Sequence, residues 1–234
     1  MRNIVVLTGA GISRESGLHT FRDGDGVWSR HDIAEVCTPA AFRRDPLLVN
    51  GFYNDRRAEV MRAAPNAAHH ALARLERAAR DGQWAGDILV VTQNIDDLHE
   101  RAGSRDVVHM HGEVRRVRCI SCGATPGWDD DCLPHTPCPR CGAASLRPDI
   151  VWFGEMPLHM ERIQAALAAC DLFVTIGTSG TVYPAAGFVA QVCAHADTLD
   201  INLRPPAEPG LFDRSMVGPA SRTVPCWVAE VLAG

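Results

Sequence analysis

A chain of 234 residues, 46% of them hydrophobic, is long enough to bury a core of its own. A formal net charge of −5 gives no reason to expect a polyanion, so no specific nucleic-acid partner is expected. No run of about 20 apolar residues is present to span a bilayer, and no signal peptide precedes the first apolar run, so a cytoplasmic protein with no membrane contact is expected.

Residues 4–8, IVVLT, form an apolar run that stops at a glycine, the pattern of a buried parallel strand. Gly9, Ala10 and Gly11 follow as a tight turn. A dinucleotide fingerprint would put its third glycine at position 14, which is Arg14. The stretch 20–65 opens glycine-rich and polar, and a short helix is expected over 47–62. Tyr53 and Arg56, three apart, would share one face of it. Such a pair offers a hydroxyl and a guanidinium fork to a carboxylate. A second helix is expected from the N-cap Asn66 to Gly82, with Ala68, Leu72, Leu75 and Ala79 as its apolar face.

Further strands are expected in DILVVTQN (87–94), DLFVTIGTS (171–179) and TLDIN (198–202), with a helix over 160–170. Strands alternating with helices predict an α/β doubly wound sheet, Rossmann-like, with parallel strands. Ligands of such sheets sit just past the carboxyl ends of the strands. Gly9–Gly11, Gln93–Asp96, Gly177–Ser179 and Asn202 are therefore expected to converge. Two segments interrupt the pattern, so a smaller helical and zinc-ribbon module is expected as an insert. The division expected is a large domain of 1–30, 83–112 and 148–234, and a small one of 31–82 and 113–147.

Cys119-x-x-Cys122 and Cys138-x-x-Cys141, fifteen residues apart, match two thiolate hairpins around one tetrahedral Zn²⁺. Four thiolates leave no open position, so this metal is expected to be structural. Cys132 and His135 lie between the pairs with a poorer spacing. Most of the remaining cysteines, Cys37, Cys132, Cys170, Cys193 and Cys226, are expected as buried small hydrophobes. All 23 basic residues are arginine. With abundant Ala, Gly and Pro, this reads first as a compositional bias.

The ordered set GAGISRESGLHTFRDGDGVW (9–28), TQNIDDLHERAG (92–103), HMHGE (109–113), the cysteine quartet, RPDIVWFGE (147–155), GTSGTVYPAA (177–186) and INL (201–203) resembles the sirtuins, NAD-dependent protein-lysine deacylases. The resemblance runs from residue 3 to the C-terminus and is nearest to the bacterial desuccinylase-like branch. It implies NAD and one structural Zn²⁺ as cofactors, and acylated-lysine proteins or peptides as partners of a monomer. It implies His111 as the catalytic base, with Asn94 and Asp96 positioning nicotinamide and ribose. Contacts to the cofactor are implied for Gly9, Ala10, Gly11, Ser13, Glu15, Phe21, Arg22 and Trp28. The strand ends add Gln93, Ile95, Gly177, Thr178 and Ser179, and the adenosine side adds Asn202, Leu203, Arg204 and Ala220. Val151, Phe153 and Gly154 are implied to receive the substrate peptide by strand addition. Tyr53 and Arg56 are implied to read the far carboxylate of succinyl- or malonyl-lysine. The class carries alanine where this chain has Cys37, so a narrower pocket is expected. Removal of succinyl, malonyl and acetyl groups with release of nicotinamide and O-acyl-ADP-ribose is the implied reaction; mono-ADP-ribosyl transfer from the same site is the alternative. His109 is expected as a packed or hydrogen-bonded histidine.

Overall fold

The computed structural model describes residues 2–18, 33–206 and 208–234. Six strands form one parallel sheet: β1 (Arg2–Thr8), β2 (Gly86–Thr92), β3 (Val107–His109), β6 (Leu172–Ile176), β7 (Asp197–Asn202) and β8 (Arg214–Val217). Their order is β3-β2-β1-β6-β7-β8. β1 pairs with β2 on one side and β6 on the other, with Thr8 opposite both Thr92 and Ile176. The strand order reverses between β1 and β6, and that is where a doubly wound sheet leaves a crevice.

Alternation along β1 assigns its side chains to two cores. Ile4 and Val6 join Leu72, Leu75, Val224 and Trp227 on one face. Val5 and Leu7 join Ile163, Leu167, Phe188 and Val192 on the other. The first layer is α5 (Ala67–Arg80) with α9 (Ala220–Ala233), and the second is α7 (Met160–Ala169) with α8 (Phe188–Val192). Being covered on both faces is what allows these strands to read as continuous apolar runs.

The buried face of α5 corrects two expectations. Ala78 is buried where Ala79 was expected, and His69 is buried beside Ala68. The helix also lies on the sheet, because its apolar face joins the β1 core; the expected division had grouped it with the small module.

That module is built from α2 (Ile33–Val36), α3 (Pro39–Arg44) and α4 (Pro46–Arg62) with the antiparallel pair β4 (Gly112–Cys119) and β5 (Leu146–Ile150). Asp45 accepts from Leu48 N–H and caps α4, and Pro46 begins it. Val49, Phe52, Tyr53 and Val60 pack there with Val114, Ile150 and Trp152. A short α1 (Ala10–Ser13) follows β1, and α6 (Leu98–Ala102) follows the loop after β2. Among the described residues, no helix is long and apolar enough to cross a membrane.

Candidate active site and metal centre

The turn after β1 is glycine-rich for a reason internal to the fold. Gly9 N–H donates to Ile176 O (3.0 Å) and Gly11 N–H to Gly177 O (2.8 Å). A Cβ on Gly11 would stand 2.7 Å from Gly177 Cα, and one on Gly177, at φ +60°, would stand 2.5 Å from Ile12 N. The two strand ends at the switch point therefore touch backbone to backbone. Two of the turn's amides are spent on this contact, so neither Gly9 nor Gly11 offers its N–H to a pyrophosphate.

Around this seam the expected residues do converge. Gln93 Nε2 donates to Thr178 Oγ1 (3.1 Å), and Asn202 Nδ2 donates to Thr178 O (2.7 Å). The ends of β2, β6 and β7 are thus joined across the crevice. Ser179, Leu203 and Arg204 are exposed at its rim, and Ile95 is half-buried. Glu15 turns away from the seam. Its carboxylate accepts from Ser221 N–H (2.9 Å) and Ser221 Oγ–H (2.5 Å), tying the turn to the first turn of α9, where a negative charge is favoured. Ala220 is buried at the start of α9. Phe21, Arg22 and Trp28 lie outside the described residues.

Asn94 and Asp96 are buried. Asn94 Nδ2 donates to Gly9 O (3.2 Å) and to Ser13 Oγ (3.1 Å). Ser13 Oγ–H donates to Asp96 Oδ2 (3.0 Å), whose other oxygen accepts from Leu98 N–H (3.2 Å). Burial raises the Asp96 carboxyl above its ordinary range, against these two hydrogen bonds. Amide and carboxylate groups at a strand end suit hydroxyls and a carboxamide, which both donate and accept.

His111 follows β3 and is half-buried. Its Nδ1 lies 3.0 Å from Gln93 O. A carbonyl only accepts, so Nδ1 carries the proton and the Nε2 lone pair is available as a base. Burial lowers the His111 pKa below its usual value, partly offset by the Gln93 carbonyl. The ring therefore sits neutral at pH 7. The next residue is Gly112, at φ +82°, where a Cβ would stand 2.0 Å from Asp149 O. Only glycine lets β4 start beside β5 there. His109 is buried with Nε2 2.7 Å from Glu100 Oε1, the hydrogen-bonded histidine expected.

The segment 151–155 is a turn after β5 and no longer strand. Val151 N–H donates to His111 O and Phe153 N–H to Cys37 O, each at 2.9 Å. Those two amides are therefore committed inside the protein, which corrects the picture of a strand edge open along 151–155. Gly154 has φ +90° with open space about it, and Phe153 is 53% exposed.

Tyr53 and Arg56 are both buried on α4. Tyr53 Oη accepts from Trp152 Nε1–H (3.0 Å) and lies 3.5 Å from Cys37 Sγ. Burial pushes the Cys37 thiol up to about 11, so it stays protonated. Arg56 Nη1 donates to Glu59 Oε2 (2.7 Å). Trp152 itself is clamped: the Arg147 guanidinium stacks 3.5 Å above its ring, and Arg147 also pairs with Glu155 (2.7 Å).

The four cysteines of the quartet place their sulfurs within 4.8 Å of one another. Cys119 and Cys141 are 3.7 Å apart, and Cys122 and Cys138 are 3.8 Å apart. A tetrahedral zinc with Zn–S bonds of about 2.3 Å sets its sulfurs about 3.8 Å apart, so the quartet fits that ion. Each pair is closed by a glycine at positive φ, Gly123 and Gly142, whose N–H returns to Cys119 O and Cys138 O. Cys132 is buried outside the cluster, held by Asn54 through both its N–H and its C=O (2.9 and 3.1 Å). Cys37 and Cys170 are buried as expected, but Cys193 and Cys226 are exposed.

Sequence reasoning missed the buried pair His69 and His99. Their rings meet edge to face with centroids 5.0 Å apart. His99 Nε2 lies 3.1 Å from Thr8 Oγ1, which donates to Thr92 Oγ1 (2.8 Å). The one available signal was the position of His69, three residues past the N-cap Asn66.

A parallel sheet in Rossmann order, a strand-end crevice with a neutral histidine, and a closed four-thiolate module together define an α/β protein of nucleotide-crevice type with a zinc ribbon inserted. The Sir2 family model matches residues 9–184. An NAD-dependent protein deacylase of Caulobacter vibrioides is 54% identical over 98% of this chain and 97% of its own length. The NAD-dependent protein deacylase SIR2rp3 of Trypanosoma brucei brucei is 52% identical, covering 99% and 95%. A solved Sir2 homologue in complex with NAD superposes with a TM-score of 0.87 at 39% identity, covering 97% of this chain and 88% of that one. The chain belongs to the Sir2 family.

Proposed function

We infer that the protein is an NAD⁺-dependent protein-lysine deacylase. The observation that carries this is the His111 ring: its Nδ1–H is held by Gln93 O, and Nε2 is left as a neutral base at the crevice. The relatives named NAD-dependent protein deacylases, similar over nearly the whole chain, support the same reading. Bound NAD⁺ would supply the ADP-ribosyl group that takes up the acyl chain as nicotinamide leaves. His111 Nε2 accepts the proton of a ribose hydroxyl. Asn94 and Asp96 orient the nicotinamide and ribose end, and their burial keeps bulk water from competing there. One water is consumed, and the products are nicotinamide, O-acyl-ADP-ribose and free lysine.

The acyl groups we assign are succinyl and malonyl as well as acetyl. Arg56 and Tyr53 support this assignment, as a buried guanidinium and hydroxyl on one helix face. Incubation with NAD⁺ and an acyl-lysine peptide, followed by mass spectrometry, tests the reading. Equal amounts of nicotinamide, deacylated peptide and O-acyl-ADP-ribose are expected. ADP-ribosylated peptide with the acyl group intact would replace this reading with transfer to protein.

A further inference from the structure

Arg147, Trp152 and Glu155 come from one stretch of the sequence, RPDIVWFGE, and none of them has a part in the chemistry above. They form one clamp around an indole. The Arg147 guanidinium lies 3.5 Å over the Trp152 ring. It forks onto both oxygens of Glu155 (2.7 and 3.0 Å) and donates to Ile150 O (2.7 Å), which fixes it to the end of β5. Glu155 Oε2 also accepts from Trp152 N–H (2.9 Å). Phe42 packs against the indole with ring centroids 5.2 Å apart. A flip of the ring would break this stack and carry the indole N–H to the other edge, so the direction of that N–H is set. The backbone on either side is tied to the site as well, Val151 N–H to His111 O and Phe153 N–H to Cys37 O.

The indole N–H points at Tyr53 Oη (3.0 Å). An indole nitrogen donates and never accepts, so it fills one acceptor position of the hydroxyl and leaves the Tyr53 proton directed elsewhere. The other hydrogen-bonding contact of Oη among the described residues is Cys37 Sγ at 3.5 Å. Sulfur is a weak acceptor, and a carboxylate outcompetes it for the proton. Burial raises the Tyr53 pKa well above its ordinary value, so the hydroxyl keeps its proton. A hydroxyl that accepts a hydrogen bond also donates a stronger one. A phenylalanine at 152 would fill much of the same space and leave that hydroxyl free to turn.

We propose that Trp152 is a positioning residue for acyl selection: held by Arg147 and Glu155, its Nε1–H orients the Tyr53 hydroxyl as a donor to the distal carboxylate of succinyl- or malonyl-lysine. The proposal rests on the acyl assignment made above for Tyr53 and Arg56.

The test compares Trp152→Phe, Tyr53→Phe and the double variant on peptides carrying succinyl-lysine or butyryl-lysine, which is of similar length and has no carboxylate. In Trp152→Phe, kcat/KM for succinyl-lysine should fall about three- to tenfold more than for butyryl-lysine, the factor one neutral hydrogen bond is worth. Damage to the fold would lower both alike. In the Tyr53→Phe background, Trp152→Phe should add less than about twofold to the succinyl-specific loss. Equal losses on the two peptides, or selective losses that multiply in the double variant, overturn the proposal. The indole ¹H–¹⁵N resonance of Trp152 in the unmodified protein gives a readout independent of turnover and of how the variants fold. It should move downfield when succinyl-lysine peptide binds, because Oη accepts more strongly once it donates to a carboxylate. The same movement with butyryl-lysine peptide, or none with either, defeats the idea. An unmodified protein that binds succinyl-lysine peptide but releases no nicotinamide from NAD⁺ sinks the deacylase reading alone. The proposal is then decided by the peptide affinities of the same three variants and by the indole resonance. An unmodified protein that binds the two peptides equally has no carboxylate reader and overturns the proposal together with the acyl assignment.

Discussion

Single residues carry the chemistry through hydrogen-bond direction more than through charge. Gln93 O accepts the hydrogen bond from His111 Nδ1–H, which leaves the Nε2 lone pair free for the base role proposed for it. His111→Ala should therefore abolish deacylation while NAD⁺ still binds, read by product analysis and calorimetry. The pH profile follows from the sign of the shift. Burial lowers the His111 pKa, so the neutral form persists below the ordinary histidine value of about 6.5. The acid limb of kcat/KM should lie below that value, and a limb centred above it would contradict the assignment. The proposed reader of the acyl carboxylate is Arg56. It is buried and already shares a hydrogen bond with Glu59, so an incoming acyl carboxylate meets a guanidinium held in place on one side. Arg56→Met should lower kcat/KM for succinyl-lysine roughly 10- to 100-fold, since about 1.4 kcal/mol is tenfold and charge-assisted bonds are worth about 1.5–3 kcal/mol. Acetyl-lysine should change little, and equal losses for both would make Arg56 a support of the fold. Cys37→Ala in the same assay removes the thiol beside Tyr53 Oη and should favour the longer acyl group.

The zinc ribbon shows how an element too poor in apolar residues still holds a shape. Its buried cluster contains Val117, Cys132 and Leu146 with two of the thiols, Cys119 and Cys138. A core so small leaves the four ligands as the main cohesive contact. Cys138→Ser should release the metal and loosen residues 119–145, seen as loss of stoichiometric zinc and of local amide protection. Zinc-free protein with full activity and an intact ribbon would refute a structural metal. The catalytic region should feel the loss through Arg115, which bonds both Asp97, next to Asp96, and Asp129 inside the ribbon.

At the scale of the molecule, the small module is fixed to itself by one buried arginine. Arg57, 1% exposed, spans from α4 to Val114 O (2.9 Å) and Asp130 O (3.1 Å), and also meets Asn54 Oδ1 (2.8 Å). Asn54 in turn holds Cys132 by its backbone. Arg57→Met keeps the stem but strands the buried Val114 carbonyl. It should destabilise the protein by on the order of 1–3 kcal/mol, the cost of one unsatisfied buried group. Urea denaturation measures this, and a loss below about 0.5 kcal/mol would show that water reaches that carbonyl.

The sequence by itself determined what depends on local pattern and spacing. Apolar runs ending at Gly9, Gln93 and Gly177 located three strands and the crevice at their ends, because buried parallel strands need side chains apolar on both faces. The spacing of Cys119, Cys122, Cys138 and Cys141 located the metal, because a tetrahedron restricts ligand spacing more tightly than a core does. Tertiary structure alone decided what depends on direction. Gly9 and Gly11 read as a tight turn against the cofactor, yet their amides point into the neighbouring strand end. Residues 151–155 read as an open edge, yet two of their amides close onto His111 O and Cys37 O. His69 sat in the sequence as one more polar residue of an amphipathic helix. Only the packing of α5 on the sheet brings it to Ser13, because a hydrogen bond between residues 56 apart exists only after the chain has folded.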